Sequence, residues 1–252
     1  MPDSAPASPF AWSLALGFAA AAANVAGGLV VIARKEWNEL FLKYFVALGA
    51  GFMLAATLLS MLPASLRLSA DAPLLILGGY FLVHFFEHTI APHFHFGEEV
   101  HGEEMLNPVS SLSAVLGLSI HTFFDGVSIA AGFLVSVPLG ILIFFAVILH
   151  KLPEGFTVAS ITLASGRSKA EALASACGLA AATILGVLLT NRLSGAVAWA
   201  LPVSTGVTLY VAATDLMPQV NEERGIRMAL VAFLGVALFY GTEHALEALG
   251  VS

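Results

Sequence analysis

Apolar residues run along this chain in long unbroken stretches, and most of the charge is collected in the short polar segments between them. An α-helix crossing a hydrocarbon layer about 30 Å thick needs roughly 20 apolar residues, because a backbone amide left unpaired there costs several kcal/mol. Eight stretches meet that demand: Phe10 to Ala33, Phe41 to Leu62, Leu74 to Ile90, Val109 to Val135, Leu139 to Ala164, Ala170 to Thr190, Ala196 to Met217 and Met228 to Leu249. The period-2 alternation of a membrane β-barrel is absent, and the abundance of Ala, Leu and Gly suits packed helices. The pattern predicts an all-α membrane protein with residues 1–252 forming one polytopic domain. The first stretch is expected to be a retained span, since Met1 to Pro9 carries no Lys or Arg and the apolar run is too long for a signal peptide.

Composition narrows the class further. Apolar residues make up 58% and charged residues 11% of the 252 positions. Soluble domains have about 45–50% and 25%. Mean hydropathy is +0.90, so lipid is expected to be the solvent for most of the surface. Ten Lys+Arg against seventeen Asp+Glu leave a net charge of −7 and no basic run, which excludes a nucleic-acid partner. Cys177, the single cysteine, cannot form an intrachain disulfide. Arg34, Lys35, Lys43, Arg167, Lys169, Arg224 and Arg227 follow spans one, five and seven, whereas only Arg67 and Arg192 fall on the other face. Basic loops favour the cytoplasm, so both termini are expected outside it, in a plasma or bacterial inner membrane.

The chain also resembles itself. At an offset of 155, Gly51 and Pro63 of the second span match Gly206 and Pro218 of the seventh. At an offset of 156, Gly79, Glu87 and His88 match Gly235, Glu243 and His244. The first and sixth spans match weakly, through Gly17 and Gly178. A three-helix unit repeated in a membrane must enter upside down the second time, the inverted plan of secondary transporters. Residues of about 10–92 and 170–249 would be the two copies, with residues 109–164 a central pair and 93–107 a cytoplasmic loop.

The central pair holds the chemistry. His121, Asp125 and Gly126 in the fourth span repeat the spacing of His150, Glu154 and Gly155 in the fifth. At i and i+4 a His and its carboxylate share one helix face. Two such faces opposed would offer two imidazoles and two carboxylates, a nitrogen and oxygen shell suited to Zn²⁺ and related divalent ions. Pro153 removes the amide that would bond the Leu149 carbonyl, and freed carbonyls at membrane depth are tolerated where they line a cavity. Lys151, the tenth basic residue, lies inside the fifth span, where a charge points to function.

These motifs resemble the signature of the ZIP (Zrt/Irt-like) family of divalent-metal transporters, whose fourth and fifth helices carry His-Asn-x-x-Asp/Glu-Gly and His-x-x-Pro-Glu-Gly. The resemblance extends to eight spans, outside termini, a His-containing loop after span three, and Pro-ended second and seventh spans. It implies a 3+2+3 arrangement of helices, frequently dimeric, with His121, Asp125, His150 and Glu154 holding the metal on its way to the cytoplasm. Zinc is the expected substrate, with iron, manganese, cobalt and cadmium also compatible, and no catalytic cofactor is implied. Two positions depart from the pattern: Thr122 replaces Asn, and Lys151 stands where many members carry a ligand to a second metal. Lys151 either substitutes for that second ion beside Glu154 or merely pairs with Glu154 in a polar crevice.

Other polar residues in the spans are pathway candidates. His84, Glu87 and His88 on the third span and Asp215 on the seventh would hand the ion inward, although Asp215 could instead pair with Arg224 or Arg227. His84 could equally be a satisfied core residue. Glu243 and His244 would flank the entrance or anchor the interface. His93, His95 and His101, set among four carboxylates, form a tract that would bind metal weakly or serve as an ordinary acidic loop. Two rival functions share the ligand set. An intramembrane zinc hydrolase needs an open coordination position and a general base, and no His-Glu-x-x-His is present. A passive metal-selective channel differs from an alternating-access carrier only in kinetics.

Overall fold

The computed structural model describes residues 8–33, 39–89, 108–222 and 225–250. Every regular element among the described residues is helical. Helix α1 spans Pro9–Ala33. Helix α2 joins Glu39–Ala55, a π-helical stretch Ala56–Met61 and Leu62–Leu68. Helices α3, α4, α5 and α6 are Ala72–Thr89, Pro108–Val135, Val137–Ala164 and Lys169–Arg192. Helix α7 begins with a 3₁₀ turn at Ser194–Ala196 and continues through Val197–Tyr210, a π-helical stretch Val211–Leu216 and Met217–Glu222. Helix α8 is Ile226–Ala248.

Seven of these helices are long and apolar enough to cross a membrane. The exception is α3, the third of the eight expected spans, which has 18 residues and carries His84, Glu87 and His88 toward its end. Boundaries follow local signals. Ser136 alone separates α4 from α5, capping α5 by accepting from the Leu139 amide. Ser168 and Glu171 form a reciprocal capping box on α6. Gly225 precedes α8 with φ of 116°, a conformation that side-chain-bearing residues rarely adopt.

Pro63 and Pro218 do not end their helices, contrary to the expectation of Pro-ended spans. Each lacks the N–H that would bond the carbonyl four residues earlier, and the helix absorbs the loss by widening to π geometry just upstream. The amide of Leu62 reaches the Thr57 carbonyl, and that of Met217 reaches Ala212, both five residues back. α2 therefore continues to Leu68 and α7 to Glu222. The two π stretches stand 155 positions apart, the offset that matches the proline positions.

Packing divides the helices into two groups of four. α1, α4, α5 and α6 contact one another, α2 and α7 join α3 and α8 in a second group, and the groups meet mainly where α4 touches α7 and α2 touches α5. Reciprocal glycines bring backbones together within each group: Gly27 with Gly155, Gly126 with Gly186, Gly51 with Gly235 and Gly79 with Gly206. A Cβ at any of these positions would stand 1.9–2.2 Å from a carbonyl oxygen of the facing helix. The matched offsets exchange the last two pairs, Gly51 becoming Gly206 and Gly79 becoming Gly235. Gly17 and Gly178 share no such contact, since one abuts Val187 and the other has open space. Between the groups the contact is looser: a Cβ at Gly49 of α2 would stand 3.5 Å from the Leu149 backbone of α5, and Phe52 and Met53 of α2 share one buried cluster with Leu142 and Ala146 of α5.

Outward faces are apolar, as at Leu74, Trp199, Ile226 and Phe233, each at least two-thirds exposed. Such a surface needs lipid around it. The glycine contacts make a specific forecast. Gly51→Ala should destabilise the folded protein by about 1–3 kcal/mol or more through overpacking. Gly241→Ala, where nothing lies within 4 Å, should leave thermal unfolding in detergent nearly unchanged.

Candidate metal centre

α4 and α5 form a hairpin about Ser136, and their motifs sit at nearly equal depth from its tip. His121 lies 15 positions before Ser136 and His150 lies 14 after it. Because the helices run in opposite directions, each carboxylate falls opposite the other helix's imidazole. Asp125 Oδ2 is 3.3 Å from His150 Nε2, and Glu154 Oε1 is 3.0 Å from His121 Nε2. One ligand atom from each of the four residues lies within 4.8 Å of every other, and all four side chains are buried. Around a tetrahedral Zn²⁺ at about 2.0–2.1 Å, ligand atoms stand about 3.4 Å apart. A modest contraction would therefore suffice to hold an ion.

Hydrogen bonding supports the same use. His150 Nδ1 lies 3.0 Å from the Ala146 carbonyl, which can only accept, so Nδ1 carries the proton. In the neutral ring Nε2 then presents a lone pair toward the Asp125 carboxylate. Two acceptors face each other, a geometry that needs a cation or a proton between them. The backbone bond fixing this tautomer is the arrangement that orients metal-ligating histidines. His121 Nε2, buried and aimed at Glu154, makes no hydrogen bond.

Lys151, fully buried, crosses the same site. Its Nζ is 2.6 Å from Asp125 Oδ2 and 2.5 Å from Glu154 Oε2, with Thr122 Oγ1 at 3.4 Å. It therefore bridges both carboxylates, not Glu154 alone. Thr122 donates in turn to Glu154 Oε1. Asn24 of α1 is a site residue that sequence reasoning missed. With its amide nitrogen turned toward the acceptors, it donates to Glu154 Oε2 at 3.2 Å and to the Lys151 carbonyl at 2.6 Å. The Gly27 and Gly155 contact brings α1 close enough for that reach. A carboxamide in the middle of the Ala-rich first span was the available signal.

The other polar residues of the spans fall elsewhere. Tyr210 Oη donates to the buried Glu87 at 2.7 Å, and Asp215, also buried, accepts from Thr214 Oγ1 and interacts electrostatically with Glu87. Among the described residues no ion pair joins Asp215 to Arg227, and Arg224 lies outside them. The His84 ring stands 4.0 Å from that of His88 and 6.1 Å from Tyr210. His244, exposed, meets Glu247 at 3.2 Å, while Glu243 is half-buried. His93, His95 and His101 lie outside the described residues. The central quartet is assembled from one group of helices, whereas Glu87, Tyr210 and Asp215 belong to the other.

The family model described as ZIP Zinc transporter matches residues 97–243, more than half of the chain. The chain belongs to the ZIP zinc transporter family. Its similarity to "Zinc transporter ZIP13 homolog" of Drosophila melanogaster is 31% identity over 147 residues, covering 54% of this chain and 41% of that protein. "Zinc transporter ZIP13" of Homo sapiens is 30% identical over 151 residues, covering 52% of this chain and 40% of the relative. "Zinc transporter ZIP4" of Homo sapiens is 33% identical over 127 residues, covering 47% and 19%. The chain thus spans less than half the length of these curated relatives. Membership in a family of ZIP transporters sets aside the intramembrane hydrolase. Because Asn24 supports both Glu154 and Lys151, Asn24→Ala should cost about 1–3 kcal/mol by stripping donors from buried acceptors. A fall in the detergent unfolding midpoint, absent for an Ala substitution at the exposed Arg192, would report it.

Proposed function

We propose that this ZIP-family chain carries divalent metal, zinc foremost, across a membrane toward the cytoplasm by alternating access. The observation that carries the reading is the buried quartet of His121, Asp125, His150 and Glu154, whose ligand atoms converge within 4.8 Å. Imidazole and carboxylate ligands also suit iron, manganese, cobalt and cadmium. With Lys151 bridging the two carboxylates, the centre holds one metal ion, and the second position is filled by the ammonium.

The two helix groups supply the moving parts. α1, α4, α5 and α6 travel as one body, because backbone-to-backbone glycine contacts lie within that group and the site is built wholly from it. α2, α3, α7 and α8 form the other body, and apolar side chains at the α2 and α5 boundary permit sliding. Residues 10–92 and 170–249 act as inverted repeats around the central pair, supported by the exchanged glycine pairs and the π stretches 155 positions apart. Carriage by two bodies, rather than a fixed pore, favours a carrier over the passive channel. His84, Glu87, His88 and Asp215 receive the ion on the cytoplasmic side, Glu243 and His244 flank the entrance, and His93, His95 and His101 bind delivered ion weakly. The charge of the loops favours both termini outside, in a bacterial inner or plasma membrane. A homodimer is the form the family resemblance favours.

Two measurements test this. In proteoliposomes, zinc uptake by His121→Ala, Asp125→Ala, His150→Ala and Glu154→Ala should fall at least about tenfold below the parental rate, one lost ligand weakening binding by more than 1.4 kcal/mol. Parental rates in all four variants would remove the assignment. Metal analysis of the purified zinc-loaded protein should count one ion per chain in the spans, and two ions among His121, Asp125, His150 and Glu154 would contradict the single-ion centre.

A further inference from the structure

We propose that Lys151 is a tethered cation that stands in for cargo during the metal-free half of the transport cycle. The inference rests on the carrier reading above and concerns what happens when no metal is bound. Lys151 Nζ lies 2.6 Å from Asp125 Oδ2 on α4 and 2.5 Å from Glu154 Oε2 on α5. It is thus a positive charge bonded to both anionic ligands of the quartet. No part of its side chain reaches solvent, and Thr122 Oγ1 at 3.4 Å is a further polar neighbour of its head group. Asn24 holds the Lys151 carbonyl at 2.6 Å, so the backbone from which the ammonium extends is itself anchored to α1.

Charge decides what such a residue does. Asp125 and Glu154 carry two negative charges, and both imidazoles are neutral when they ligate. With both imidazoles neutral in the metal-free site as well, and the Lys151 ammonium serving as the cation, the site is −1 without metal and +1 with a divalent ion. Without Lys151 it would be −2 and neutral. The work of holding charge in a low-dielectric interior grows as the square of the charge. A net charge of −2 therefore carries a roughly fourfold larger penalty than −1. Lys151 makes the two half-cycles electrostatically alike, lowering the barrier to return of the unloaded carrier at the expense of weaker metal binding. Uptake against a metal-free interior requires that return, whereas metal-for-metal exchange does not, because the site is loaded in both directions.

The distinction can be measured with K151M, which keeps the length and apolar stem of the side chain and removes the charge. In proteoliposomes, the ratio of net zinc uptake into metal-free vesicles to exchange of external ⁶⁵Zn²⁺ for internal zinc should fall at least about tenfold below the parental ratio. The half-saturating zinc concentration for exchange should fall about tenfold, because a competing cation has been removed. A parental ratio of net uptake to exchange would overturn the proposal. Loss of exchange together with net uptake would also overturn it, by putting Lys151 in the metal-loaded step or in the fold. A parental chain that moves zinc in neither mode would overturn the carrier reading itself, and this proposal with it.

Discussion

Two carboxylates buried between helices in a lipid-solvated protein must be met by positive charge or by strong donors, and much of the centre follows from that demand. Asp125 and Glu154 are answered by a shared Lys151 ammonium, by the Thr122 hydroxyl and by the Asn24 amide. The two imidazoles are placed differently. His150 is committed through Nδ1 to a backbone carbonyl, and His121 Nε2 has no hydrogen bond, so the donors in the centre go to the carboxylates and leave the ligating face of the imidazoles to a cation. A site built only for stability would have satisfied the His121 nitrogen. Instead the arrangement leaves a strong demand for a cation at the point where the four ligand atoms meet.

Meeting that demand requires helices at close range, and glycine makes the range attainable. At Gly155 and Gly27 the backbones of α1 and α5 approach so closely that a methyl group would collide with a carbonyl, and Asn24 reaches the centre through that approach. Gly126 and Gly186 join α4 to α6 in the same way. Such contacts resist sliding, because a ridge of side chains on either surface would have to be created or crossed. Side-chain packing between α2 and α5 has no comparable interlock. The difference in contact chemistry, more than any single residue, separates the helices that carry the centre from those that flank it.

Legibility in the sequence varied with the range of the interaction. The apolar runs located all eight helices, and α1, α4, α5, α6 and α8 start or end within a few residues of the expected limits. Prolines were misleading: Pro63 and Pro218 read as terminators, yet a shift to five-residue bonding carries α2 and α7 past them. The weak match of Gly17 with Gly178 has no structural counterpart, since glycine records a close approach only when a partner backbone is present. Asn24 escaped notice because its role depends on a helix more than a hundred positions away.

The residue types and their spacing alone determined that the chain would be a set of membrane helices and that His121, Asp125, His150 and Glu154 would share faces one turn apart. Those are consequences of local periodicity and of the cost of charge in hydrocarbon, both of which act within a single helix. Tertiary structure decided which carboxylate meets which imidazole, that Lys151 spans both acids, that Asn24 joins them, and that α1 and α6 side with the central hairpin. These depend on antiparallel register and on backbone contact between distant segments, and no window along one helix contains that information.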